Sequence, residues 1–434
     1  MKYYIIAGEA SGDLHASNLM RGLYECDSKA SVRFWGGDCM EQVFRQYEAD
    51  QAEQAMEASK TGQAGKEGQA MEAGKTEQAG KESCVGAGKA QDYREGAIMG
   101  VFELVGKLGM IASRLRFCKQ DILRFNPDVL VLVDYPGFNL RIAKWASRKG
   151  IKVYYYIAPK VWASREGRIK TIRKYVDKLF IVFPFEKPYF DSKGLPYIYC
   201  GNPLVDAVDG SPAIQQTRQD FCALHGLDAD KPIVAMLAGS RIGEIRTMTP
   251  LIIGAATLLR KRKGLEDCQF VLAGAPGRSA EDYEAFDKKM FTLVFGQTQQ
   301  TLHCADAALV NSGTASLEAA LIGTPQVVAY KVASKATYYF AKWFLLKCKY
   351  ISLGNLCLDK LAFKELYSME DCTEDVVADE LERLLTDVKY RETMLADYKA
   401  IRESLGGPGA SERVAKAMIR CLKGQDGSDT DDIQ

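Results

Sequence analysis

The sequence predicts an α/β protein of two Rossmann-like domains facing across a cleft. Short apolar runs alternate with helical patterns along most of the 434 residues, as parallel strands with helical crossovers do. Each half opens on a strand, a glycine-containing loop and a helix. The chain is also too long for one ordinary core, which makes two domains the natural division.

In the first half, strands are expected at 3–7, 32–35, 129–133, 152–157 and 179–182. The loop Gly8-Glu9-Ala10-Ser11-Gly12-Asp13 feeds a helix over about 14–24, and Gly36-Gly37-Asp38 ends the second strand. After Gly201-Asn202-Pro203 the pattern restarts, with strands at 233–237, 270–273, 307–310 and 326–329. The boundary falls near 206–211. The first domain then covers 1–206 and the second 207–424, whose last helices, 375–385 and 390–422, are placed to pack back on the first. An acidic tail, 425–434, is expected to be disordered. One segment stands outside this scheme. Residues 54–58 recur as 69–73 and 63–67 as 78–82, a tandem repeat of period 15 rich in Gln, Ala, Gly, Lys and Glu. With almost no large apolar residues it cannot bury a core, so 49–91 reads as a solvated insertion.

Lys+Arg 57 against Asp+Glu 56 leaves a net charge of +1, so no global field points to nucleic acid and none is expected as a partner. The 12 cysteines show no C-x-x-C pair and no Cys/His spacing suited to zinc, which fits reduced thiols in the cytoplasm. The chain enters a strand directly after Met1, without a signal peptide ahead of it. No run approaches the roughly 18 apolar residues of a membrane span. A membrane role would place the protein on the surface rather than across it.

The strongest local signal is Asn311 to Leu321: a strand, a Ser312-Gly313-Thr314 turn, then a helix whose free first-turn N–H groups suit a phosphate. Glu318 lies four residues after Thr314 on the same helix face, where its carboxylate can accept from a ribose diol. Such an arrangement suits a sugar nucleotide. The run Gly239-Ser240-Arg241-Ile242-Gly243-Glu244 repeats the strand–turn–helix pattern and adds an arginine that can clamp a departing diphosphate. An ion pair between Arg241 and Glu244 is the plainer reading. Asp134 ends an apolar strand ahead of a Pro/Gly turn, so its carboxylate reaches the sheet edge where ligands bind. There it can take a proton from a sugar hydroxyl or simply cap the next helix. Asp128, at the other end of that strand, suits a cap. The loop at 8–13 lacks the G-x-G-x-x-G of a dinucleotide site, yet it offers Ser11, Asp13 and His15 to the cleft. Ala158-Pro159-Lys160-Val161-Trp162 brings a cation and an aromatic to the same edge, where Trp162 either walls a sugar or acyl chain or fills an interdomain seam. Residues 100–125 mix apolar Val101, Phe102 and Val105 with a basic flank. That suits a core helix, an acyl-chain pocket or an anionic membrane surface, as does 342–347.

In this order the motifs Gly8-Glu9-Ala10-Ser11-Gly12-Asp13, Met99-Gly100-Val101-Phe102-Glu103, Ala158-Pro159-Lys160-Val161-Trp162-Ala163, Gly239-Ser240-Arg241 and Ser312-Gly313-Thr314-Ala315-Ser316-Leu317-Glu318 resemble the lipid-A-disaccharide synthase family, over nearly the whole chain outside the repeats and the tail. The resemblance implies the GT-B glycosyltransferase fold. It also implies inverting transfer of 2,3-diacylglucosamine from UDP to 2,3-diacylglucosamine 1-phosphate on the cytoplasmic face of the inner membrane, giving a β-1,6-linked disaccharide 1-phosphate. In that scheme Gly239, Ser240, Arg241, Glu244, Ser312, Gly313, Thr314 and Glu318 hold UDP. Ser11, His15, Val101, Phe102, Val105 and Trp162 face the acceptor and its chains. Asp134, Asp13 and Asp128 are the candidate bases. Arg241 and helix ends carry the leaving-group charge, so no metal or cofactor is needed, and a homodimer is left open. Similar sequences often carry a second Asp where Gly137 stands here, and a scheme resting on that acid does not carry over. The rivals are a UDP-sugar 2-epimerase, a nicotinamide dehydrogenase and a non-catalytic membrane-surface module.

Overall fold

The computed structural model describes residues 1–63, 86–93, 104–331, 349–368 and 370–425, with the side chains of 58–63 and 104–108 left out of the description. Several sequence expectations lie outside the described residues: the second half of the repeats, the 99–103 motif with Val101 and Phe102, the Val105 side chain, the 342–347 stretch and nearly all of the tail.

The first sheet contains β1 (Lys2–Ala7), β2 (Ser31–Gly36), β3 (Gly88–Asp92), β4 (Val129–Val133), β5 (Lys152–Tyr156), β6 (Lys178–Ile181) and β7 (Ile198–Tyr199). Its order is β3-β2-β1-β4-β5-β6-β7. The second holds β8 (Ile233–Leu237), β9 (Gln269–Gly274), β10 (Phe291–Phe295), β11 (Ala307–Val310), β12 (Gln326–Ala329) and β13 (Glu365–Leu366), in the order β10-β9-β8-β11-β12-β13. Every pairing is parallel. Each sheet reverses direction beside its first strand, between β1 and β4 and between β8 and β11, which opens a crevice at the carboxyl ends. Helices cover both faces, so the central strands are buried throughout and read as unbroken apolar runs rather than alternating ones.

The expected insertion at 49–91 is trimmed at its end, because Gly88–Asp92 pairs with β2 as an edge strand. Small and polar residues hide that strand, and Lys89 ties it down through Glu41 at 2.7 Å and Asp92 at 2.8 Å. At the front, the helix Asp38–Gln63 runs straight into the repeats with residues 48–57 all exposed. The apolar helix Ile242–Leu259 has the length and composition of a membrane span. It instead buries Met248, Leu251, Ile252 and Ala255 completely in the second core.

The expected single helix over 390–422 is two. Gly406-Gly407-Pro408-Gly409 separates Val388–Leu405 from Ala410–Leu422. The second piece crosses to the first domain and lies on the helix Ala10–Cys26, where a Cβ on Gly22 would stand 3.1 Å from that of Ala415. Asp206 caps its start by accepting from the amides of Gly409 (2.6 Å) and Ser411 (2.8 Å).

Candidate active site

One cavity of about 1040 Å³ lies between the carboxyl ends of the two sheets. The first domain lines it with the loop after β1, with Asp134 and Tyr135 after β4, and with Lys160 after β5. The second contributes the turns after β8, β9 and β11, together with Thr298, Glu318 and Tyr330.

Asp134 and Tyr135 both occupy the left-handed region, with φ of 44° and 45°. Such backbone is costly and persists only where its surroundings hold it. Here Tyr155 Oη donates to the Asp134 carbonyl at 2.6 Å, and Asn139 Nδ2 donates to the same oxygen at 2.8 Å. The Tyr135 ring then lies over Gly8, where a Cβ would come within 2.2 Å of it, so no other residue fits there. Burial raises the Asp134 carboxyl above the ordinary carboxylate value and Glu9 adds to the rise, while Lys160 opposes it.

The other two candidate acids are engaged elsewhere. Asp13 is buried, and its carboxylate accepts from the amides of Gly37 (2.7 Å), Cys39 (3.0 Å) and Met40 (3.3 Å), fastening the start of the helix Asp38–Gln63. It does not line the cavity. Asp128 stands at the opposite end of β4 and accepts from the Lys2 amide at 2.7 Å. Trp162 also faces away from the cavity. Its ring packs edge-on against Phe185, and its Nε1 donates to the buried Glu186, whose carboxyl burial pushes up to about 7.

Ser11 and His15 do reach the cavity wall. Burial holds the His15 imidazole down at about 4, so it is neutral at ordinary pH, and its buried Nδ1 has no partner among the described residues. On the facing wall, Arg241 pairs with Glu244 at 3.2 Å and, across the cleft, with Glu9 at 3.5 Å. Glu244 Oε2 accepts from the amides of Ser240 and Arg241. Its carboxylate therefore shapes the turn from within and occupies two of its N–H groups. Gly239 is required beside it, at φ +110° with Glu244 Oε2 only 2.7 Å from where a Cβ would stand.

The β11 turn keeps its donors. Ser312 caps the helix Gly313–Ile322 by accepting from Ala315, while Gly313 and Thr314, whose first-turn amides have no intrahelical acceptor, line the cavity. Glu318 is held by Gln299 Nε2 at 2.7 Å, and burial raises its carboxyl. Asn311 Nδ2 bridges to the Ala238 carbonyl at 3.0 Å, locking this turn to the one after β8.

Arg114, from the basic flank of 100–125, reaches the wall, as do residues the sequence did not single out: Trp35, Tyr93, Phe138, Arg278 and Tyr330. Arg278 follows Gly274-Ala275-Pro276-Gly277 directly after β9, the same strand–turn signal that identified Arg241. Trp35 sits at the end of β2 and reads as an ordinary strand residue. Among the described residues, no group of three His, Cys, Asp or Glu side chains is arranged to hold a metal.

The sequence profile of the family described as lipid-A-disaccharide synthetase matches residues 77–418. The lipid-A-disaccharide synthase of Geobacter sulfurreducens is 34% identical over 421 residues, 96% of each chain. That of Syntrophus aciditrophicus is 31% identical, covering 97% of this chain and 98% of its own. Among solved structures, the Staphylococcus aureus MnaA–UDP co-structure aligns with a TM-score of 0.62 at 12% identity over 97% of each chain. The spinosyn rhamnosyltransferase SpnG aligns at 0.55 and 11%, covering 98% of this chain and 100% of its own. At such identities the structural neighbours speak for the fold alone, which is the GT-B glycosyltransferase architecture of two parallel-sheet domains. The sequence matches go further: with the profile spanning most of the chain and relatives above 30% identity along nearly all of it, the chain belongs to the lipid-A-disaccharide synthase family of glycosyltransferases, enzymes of lipid A biosynthesis.

Proposed function

We propose that the protein condenses UDP-2,3-diacylglucosamine with 2,3-diacylglucosamine 1-phosphate, with inversion, to give the disaccharide 1-phosphate and UDP. The observation that carries the reading is the 3.5 Å ion pair from Arg241 to Glu9, which spans the cleft that Asp134 also lines. A proton acceptor and a diphosphate clamp thus line the same cavity, one from each domain.

UDP lies against the second domain, with its phosphates on the Gly313 and Thr314 amides and Arg241, and its ribose on Glu318. The acceptor's 6-hydroxyl oxygen bonds to the anomeric carbon from the first-domain side. As it does so, the bond from that carbon to the β-phosphate oxygen breaks and the electron pair leaves with UDP. Asp134 takes the hydroxyl proton; its raised pKa makes it a stronger base than an exposed aspartate. Arg241 and the helix end neutralise the charge that develops on the diphosphate. Lipid substrates place the work at the cytoplasmic surface of the inner membrane, with residues 100–111 and their basic flank as the contact. A homodimer is compatible with this arrangement.

The test mixes purified protein with both lipids in detergent without added metal and follows products by mass spectrometry. Disaccharide 1-phosphate with stoichiometric UDP is expected. UDP release without disaccharide would point to hydrolysis or another acceptor, and an epimerised UDP-sugar would move the protein to the rival chemistry.

A further inference from the structure

Among the described residues, four cationic side chains line the cavity, and three of them are already compensated by acids. Arg241 is paired with Glu9 and Glu244, and Arg278 lies 3.8 Å from Asp282. Lys160 sits in the field of both Asp134 and Glu186. Arg114, from the helix Leu104–Phe125, is the exception: among the described residues no carboxylate pairs with it, and its guanidinium lies over the Trp35 ring at 5.5 Å. Trp35 is itself buried, and its Nε1, like His15 Nδ1, is sealed from the cavity, so the charge offered on this wall is that of Arg114. A guanidinium with no acid beside it is available to pair with an anionic ligand.

We infer that Arg114, held over the Trp35 ring, forms an anion subsite on the acceptor side of the cleft, and that its ligand is the phosphate monoester carried by the acceptor sugar. This rests on the proposed function, because it assigns the acceptor's phosphate to that wall. The donor's diphosphate has its own cation and amides on the facing wall. The acceptor's monoester carries close to two negative charges at neutral pH and needs a separate counter-charge, which a guanidinium supplies in two-point fashion. Arg114 is then a specificity-determining residue. It reads the 1-phosphate and leaves the chemistry at the 6-hydroxyl to Asp134.

The experiment uses the full chain in detergent. It compares kcat and KM for 2,3-diacylglucosamine 1-phosphate and for the same lipid without phosphate, in wild type, Arg114→Met and Arg114→Lys. Arg114→Met keeps an apolar stem over Trp35. Wild type should favour the phosphorylated acceptor by roughly tenfold to a hundredfold in kcat/KM, the range of a lost charge-assisted pair. Arg114→Met should lose most of that preference through KM, and Arg114→Lys should keep part of it. UDP affinity, measured by calorimetry, should be unchanged in both variants. Equal losses for both acceptors, or a preference surviving in Arg114→Met, would overturn the subsite while leaving the transferase reading intact. If wild type forms disaccharide from neither acceptor, that reading fails. The subsite is then decided by equilibrium binding of the two lipids in mixed micelles, where a phosphate preference absent from wild type, or unaltered in Arg114→Met, overturns it.

Discussion

Three aspartates compete on paper for one role, and what their carboxylates touch separates them. Asp134 ends in the cavity, whereas Asp13 spends both oxygens on backbone amides. Asp134→Asn is expected to lower kcat about 10²- to 10⁴-fold with UDP binding intact, the usual span for a lost general base. The same variant should be more stable than wild type at neutral pH. The folded-state pKa of Asp134 is raised, so native protein is penalised for the charge once pH exceeds the unfolded value. The advantage of Asn should be absent in acid, grow as pH rises through the ordinary carboxylate range to the raised value, and level off above it, by about 1.4 kcal/mol per unit of displacement. Denaturant melts of both proteins across pH 3–8 would show it, and a flat difference would mean the carboxyl is not displaced. Asp13→Ala should do the reverse. It is expected to cost about 1–3 kcal/mol in such melts, through the cap it removes from the helix Asp38–Gln63, and to spare kcat in the fraction that stays folded. His15 adds a second pH signature. Its imidazole is held down at about 4, so wild type should lose stability as pH falls from 6.5 towards 4, a loss that His15→Asn should lack.

At the scale of elements, burial decided what the sequence revealed. The strands it showed, such as Val129–Val133 and Ile233–Leu237, are central and covered on both faces. The four it hid, β3, β7, β10 and β13, are the four edges of the two sheets. There one neighbour is missing, the elements shorten to as few as two residues, and Gly88-Lys89-Ala90-Gln91-Asp92 carries hardly any apolar signal at all. The site was legible where a turn follows a strand, as at Gly239 and Ser312. It was illegible where a wall residue arrives by tertiary packing alone, as Trp35 does from the end of β2. The turn after β4 also bears on the departure from similar sequences. Gly137 is exposed in the first turn of the helix Pro136–Ser147, and a Cβ there would meet nothing within 4 Å. Gly137→Asp should therefore fold normally and gain up to about 1 kcal/mol, from a negative charge at a helix start and a less flexible unfolded chain. If Asp134 is the base, kcat should change less than about threefold, far below the effect of losing a general base. A rise of tenfold or more would transfer that role to position 137.

At the scale of the whole molecule, two of the connections between the domains differ in strength and purpose. The permanent one is the crossing helix Ala410–Leu422, capped by Asp206 and held by Arg413, whose Nε donates to the Cys200 carbonyl at 3.0 Å. The conditional one is Glu9 to Arg241, a pair whose side chains are 50% and 69% exposed. Exposed pairs are worth little, about 0–1 kcal/mol, and salt weakens them. The cleft is thus bridged by a contact that a diphosphate can displace at small cost. Glu9→Gln should remove the competitor and tighten UDP binding by roughly two- to fivefold at low salt, the fold-change equivalent to about 0.4–1 kcal/mol. Calorimetry at low and high ionic strength checks this. The gain should shrink as salt screens Glu9 in the wild type, whereas an equal gain at both salts would mean that Glu9 acts through the shape of its loop. Glu9 also raises the Asp134 carboxyl, so the acid limb of the kcat profile should move to lower pH in the same variant. Tighter UDP binding together with that shift would show one carboxylate acting on both walls of the cleft. A shift without a change in affinity would confine Glu9 to the first domain.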